Sequence, residues 1–258
     1  MPMKSTTIRF ALLLAAVAAL AGAQVSQADD WASLTGKFVL DGPAPTPKPV
    51  VVDADPAEFG KLGLVDESLV VDKKTGGIAN IVIFVRNKDV KIHPDLEKSV
   101  KKEARFDNKG ARFVPRILPV WLEKQTLCLC NSDRVPHNTN IQPFGDTPIN
   151  PLLPAGGELD HAFAVEQPVP IPVSCNIHRW MRGYILPRAN PYVAVTGTDG
   201  SFALEKLPAD VELEFQVWQE KSGFVEAQDW KRGRFKMTLK AGKNDLETVK
   251  VKPTLFDK

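Results

Sequence analysis

Apolar and polar residues alternate in short runs along most of the chain, among them "GKFVL", "IANIVIFVRN", "QTLCLCNSD", "HAFAV", "YVAVTGTDGSFALEKL", "VELEFQVWQ" and "LETVKVK". A period of two places successive side chains on opposite faces of a β-strand. Gly, Pro, Asn and Asp punctuate the runs, and short strands at this spacing predict an all-β sandwich or barrel. The main predicted helix starts at His93, in "HPDLEKSVKKEARF", where Pro94 suits a first turn and the charges suit a solvated face. It reads as an insertion between strands. "QPVPIPVSC" carries Pro168, Pro170 and Pro172 at one parity, so that segment is predicted to pair on one side at most. Asp199-Gly200 in "TDGS" predicts a hairpin turn.

The N-terminus changes the picture of where the protein works. Lys4 and Arg9 precede an uncharged stretch from Phe10 to Ala23, and small-residue cleavage sites follow at Ala21-Gly22-Ala23 and Ser26-Gln27-Ala28. These features predict a signal peptide over residues 1–28 and a periplasmic or secreted mature protein. The apolar run is too short to span a bilayer, no later run is longer, and Ala23 stands where a lipidated cysteine would be. Removing the signal peptide brings the net charge of +2 to zero, which speaks against a nucleic-acid partner. The remainder divides into a domain over residues 29–189 and a second over residues 190–258, with the boundary near Asn190-Pro191.

Chemistry concentrates in "SCNIHRWMRG", where Cys175, His178 and Met181 follow one another at intervals of three in a chain with 3 cysteines and 4 histidines. An odd cysteine count in an exported protein leaves at least one thiol unpaired. His137, in "CNSDRVPHNTNI", sits just after a predicted strand in a turn made by Pro136 and Asn138. A thiolate, two imidazoles and a distant thioether form the donor set that suits copper moving between Cu(I) and Cu(II). A copper oxidase or nitrite reductase would place a histidine beside the cysteine, but the neighbours are Ser174 and Asn176. A hydrolytic zinc site leaves Met181 unexplained, and a cysteine hydrolase leaves both Met181 and His137 unexplained.

These residues resemble the cupredoxins. "PHN" paired with C-x-x-H-x-x-M and Arg-Gly is similar to the ligand loops of plastocyanin and especially amicyanin. The resemblance implies that His137, Cys175, His178 and Met181 are ligands of one type 1 copper, and that Asn138 ties the ligand loops together. It spans roughly Trp31 to Arg188, best from Leu118 onward, and the whole chain resembles larger proteins described as methylamine-utilisation-like. The implied function is a non-enzymatic one-electron carrier whose redox partner is a protein such as a cytochrome or dehydrogenase. Arg179, Arg182 and Arg188 would make the loop's surroundings basic.

Downstream, "VAVTGTDGSFALEKLPADVELEFQVW" is similar to carboxypeptidase-regulatory, transthyretin-like β sandwiches, although Ala209-Asp210 stand where that family has a glycine after "LP". Relatives of that fold bind carbohydrate, so an envelope module holding copper, a polysaccharide or a protein is the alternative function. Trp218 and Trp230 are assigned to the core or the interface between domains. Cys128 and Cys130, two apart on a strand, share a face opposite Leu127 and Leu129, and a disulfide between them is geometrically poor. The plain reading is two buried apolar side chains; reactive thiols or a weak secondary Cu(I) site are the alternatives. His93 and His161 have no partner pattern.

Overall fold

The computed structural model describes residues 30–257, so the predicted signal peptide lies outside the described residues. The chain is all-β, built from short strands with two single-turn or two-turn α-helices among the described residues. No helix among them is long and apolar enough to cross a membrane.

Four sheets form two sandwiches. In the first, the strand Trp31–Leu40 lies between Ser201–Pro208, antiparallel, and Gly242–Val251, parallel. Facing it, Val82–Val85 lies between Val193–Val195 and Glu212–Gln219, and the latter also pairs Gly223–Phe224 and Arg234–Thr238. Leu34, Phe38, Ile83, Phe202, Phe215, Val217 and Val249 fill the space between these sheets. In the second sandwich, Thr126–Asn131 lies between Glu158–His161 and Glu103–Asn108. The opposing sheet runs Ile117–Trp121, Arg182–Arg188, Ile171–Ser174, Asn140–Ile141. Phe106, Leu127, Leu129, Ile171, Val173 and Ile185 fill that core, with Cys175 and Met181 at its edge.

A third apolar cluster joins the two sandwiches. Val82, Phe84 and Trp218 pack against Ile117 and Leu186, while the alternate residues Ile83 and Val85 face the first core. "VIFV" is therefore buried on both faces, which explains why it reads as a continuous apolar run instead of an alternating one. Trp218 belongs to this junction and Trp230 to the first core.

A division at residue 190 does not separate these units. Trp31–Leu40 and Val82–Val85, both before that position, take all of their strand partners from beyond it. Strand patterns reveal which face is buried and leave the partner strand open. Three local expectations also change. The helix predicted from His93 is confined to Pro94–Ser99, and "EARFDN" is the strand Glu103–Asn108, because Ala104, Phe106 and Asn108 alternate into the core. The turn at Asp199-Gly200 is tight, with Gly200 at φ +82, but its flanking strands pair with Val82–Val85 and Trp31–Leu40 instead of with each other. Ile171–Ser174 pairs on both sides, yet only Val173 and Ser174, beyond the last proline, meet Asn140–Ile141.

Candidate metal centre

Residues 175–181 form the tip of the hairpin between Ile171–Ser174 and Arg182–Arg188. The tip is closed by backbone bonds from Met181 N–H to the His178 carbonyl (2.9 Å) and from Cys175 N–H to the Met181 carbonyl (3.4 Å). Gly183 follows it because any Cβ there would stand 2.8 Å from the Phe106 ring and 2.9 Å from Phe113, whose rings stack at 5.1 Å. His137 arrives from a separate short strand, His137–Asn138, paired with Leu152–Leu153.

Cys175 Sγ lies 4.0 Å from His137 Nδ1 and 3.8 Å from His178 Nδ1, and the two Nδ1 atoms are 2.9 Å apart. A point equidistant from the corners of that triangle lies about 2.1 Å from each, close to the ~2.0–2.1 Å and ~2.3 Å bonds that nitrogen and sulfur make to a borderline metal ion. Each outer nitrogen meets a carboxylate: His137 Nε2 lies 3.0 Å from Asp133, and His178 Nε2 lies 2.8 Å from Asp55. Carboxylates behind the outer nitrogens turn both Nδ1 atoms toward Cys175. The two Nδ1 atoms, 2.9 Å apart, share one proton in an N–H···N bond, and a metal cation bound between them would take that proton's place.

Electrostatics agree with a cation. Burial alone would push the Cys175 thiol up, but the His137 ring and the backbone N–H groups of His178 and Asn138 outweigh it and draw the thiol down to about 6. Burial alone would pull His137 down, yet Asp133 and Cys175 raise it to about 9. Asp133 is held below its ordinary value: the cost of its burial is outweighed by His137 and the N–H groups of Ala111 and Gly110. Asn138 Oδ1 accepts from the Asn176 N–H at 2.7 Å and its amide donates to Asn150, so this side chain bridges three segments. Met181 is buried in the same apolar cluster as Cys175.

Three contributors had little or no signature in the sequence. Asp133 stands four residues before His137, a spacing that could have been noticed. Asp55 and Phe59 come from over a hundred residues away. The Phe59 ring lies 5.9 Å from His137, 5.1 Å from His178 and 6.5 Å from Trp180, and it roofs the imidazoles. Both histidines have no exposed surface. Of the arginines expected to make the surroundings basic, Arg179 and Arg182 are exposed, whereas Arg188 is buried against the carbonyls of Gln167 and Val85 and paired with Glu166. His93 accepts from the Asp95 N–H at a helix start, and His161 packs on Phe163.

No protein-family model and no curated protein sequence matches the chain. Among solved structures, part of it is similar to a copper-containing nitrite reductase from Thermus scotoductus (20% identity, TM-score 0.32), covering 38% of this chain. The chain spans 27% of that enzyme's length. A purple cupredoxin from Nitrosopumilus maritimus is 23% identical over 34% of this chain and 99% of its own, with a TM-score of 0.28. A Cu(I) form of an amicyanin variant is 14% identical over 41% of this chain and 98% of its own, with a TM-score of 0.31.

Proposed function

We propose that the protein is a type 1 copper protein that carries single electrons, with His137, Cys175 and His178 as the equatorial ligands and Met181 as the weak axial one. The observation that carries this reading is the convergence of one low-pKa thiol and two Nδ1 atoms on a single point, with both rings locked from behind by carboxylates. Bound there, copper would supply a one-electron couple between Cu(I) and Cu(II), since thiolate and thioether favour the first and imidazole tolerates both. The protein's part is to keep the donors still. Hydrogen bonds through the outer nitrogens fix each ring's tautomer and orientation and raise its basicity. Asn138 holds the histidine strand against the cysteine loop, and Phe59 excludes water. Asp133 is nearly buried, whereas the Asp55 side chain is 42% exposed, so the hydrogen bond from His178 to Asp55 links a ligand ring to solvent.

Among the described residues no further histidine adjoins Cys175, whose neighbours are Ser174 and Asn176, and this favours a carrier over a copper oxidase. Partners would be redox proteins in the periplasm or outside the cell. The test is to add Cu(II) to the purified chain and record its visible spectrum and voltammogram. An intense thiolate-to-copper band with a reversible one-electron wave is expected, and C175S removes both. A colourless complex would end the type 1 assignment, while colour without a reversible wave would turn the reading toward copper holding.

A further inference from the structure

The strand Thr126–Asn131 sends Leu127 and Leu129 into the second core, so Cys128 and Cys130 point away from it. On that outer face Cys128 lies between Arg105 and Asp160, and Cys130 between Asp107 and Glu158. Neither thiol belongs to any of the three apolar clusters, so neither fills a core in the way that Leu127 and Leu129 do. Both are nonetheless buried, at 2% and 3% exposure. Their cover is a layer of charge: Arg105 pairs with Glu103 at 2.7 Å and with Glu158, and all three side chains are about half exposed. The two sulfurs are 3.0 Å apart, beyond the ~2.05 Å of a disulfide. A Glu158 carboxylate oxygen lies within 4.8 Å of both.

We propose that Cys128, Cys130 and Glu158 form a second metal site, separate from the histidine centre, that takes a soft monovalent cation of the Cu(I) class. Thiolates select such ions. Two of the three donors within reach are soft sulfurs. Binding would exchange one proton from each thiol for two Cu–S bonds: Cu(I) and two thiols give a dithiolate complex of one negative charge and two released protons, with no change of oxidation state, and the Glu158 carboxylate as third donor brings a second negative charge. Arg105 lies beside both sulfurs and compensates that charge. Entry requires that the exposed Arg105 pairs part, and exposed pairs are weak. The site does not depend on the copper reading of Cys175.

The test uses the reduced full chain under anaerobic conditions, titrated with Cu(I) against a chromogenic chelator. The C175S chain is expected to withhold one Cu(I) per molecule, and the chain carrying C175S with C128A and C130A is expected to withhold none from the same chelator. Equal retention by the two would overturn the site. A second measurement needs no substitution on this strand: Cu(I) added to the C175S chain should protect the peptide bearing Cys128 and Cys130 from iodoacetamide. Alkylation of both thiols at the same rate with and without Cu(I) would overturn the proposal as well.

Discussion

Asp55 stands where two local rules compete. Asp followed by Pro at a helix start is the pattern of an N-cap with proline in the first turn. In the structure the Asp55 carboxylate makes no cap bond, and its backbone takes a left-handed conformation at φ 45. A non-glycine residue held there costs on the order of 1–3 kcal/mol, and such residues cluster at functional sites. The carboxylate goes instead to His178. An anion behind each imidazole favours Cu(II) over Cu(I), so D55N and D133N should each raise the reduction potential. At least one tenfold step in the Cu(II)/Cu(I) equilibrium is expected, about 59 mV for a one-electron couple, read by voltammetry. Potentials that do not move in either variant would mean that these carboxylates leave the metal untuned. Met181 calls for a paired experiment. M181L removes a soft donor and should raise the potential, M181Q offers a harder oxygen and should lower it, and both should still bind copper. Shifts in the same direction would take Met181 out of the coordination sphere.

At the scale of elements, the four-residue helix Pro56–Phe59 is too short to be stable alone and survives because Phe59 is buried over the imidazoles. F59A should lower unfolding free energy by about 3–5 kcal/mol, measured in denaturant, and should speed copper loss to a chelator well beyond what F59L does. A second strap is Asp146, whose carboxylate accepts from the N–H groups of Thr147 (2.8 Å), Ala164 (2.7 Å) and Val165 (3.1 Å). Burial would raise its pKa, but those donors outweigh it and hold the value below 3.8. A depressed carboxylate stabilises the fold above its unfolded pKa and loses that contribution as pH falls through the folded value. The melting temperature of the wild type should therefore exceed that of D146A at pH 7, and the gap should close below about pH 3.8. Strands and the C-x-x-H-x-x-M tip were legible in the sequence because period-two burial and ligand spacing are local patterns. The Asp55–Phe59 roof was not legible, since nothing within a window of ten residues tells a carboxylate which distant imidazole it will meet. "EARF" was misread for a related reason: its charges suit a helix, and only the packing of Ala104 and Phe106 makes it a strand.

For the molecule as a whole, the two sandwiches are locked by buried charge as well as by the Trp218 cluster. Arg116 grips Glu220 bidentately at 2.6 and 2.7 Å, with side-chain exposures of 14% and 5%. Removing Glu220 leaves Arg116 only its longer pair with Glu67 at 3.5 Å, so E220A should cost less than the about 3–5 kcal/mol of a fully stranded buried charge, yet more than the double change R116M/E220L. Equilibrium unfolding of the three proteins decides it, and equal losses in single and double variants would deny the pair its coupling. The pairing of Trp31–Leu40 with Gly242–Val251 carries a different consequence, one of timing. Ala32 finds Gly242 across more than two hundred residues of intervening chain. A chain emerging from its N-terminus holds Trp31–Leu40 unpartnered until Ser201–Pro208 has appeared and keeps one of its edges open until Gly242–Val251 follows, and contacts this distant form slowly. The second sandwich needs nothing beyond Arg188 for its sheets and can assemble first. The other sandwich closes last, so a chain interrupted before Gly242 would leave one edge of Trp31–Leu40 open to pairing with another chain for as long as its tail is missing.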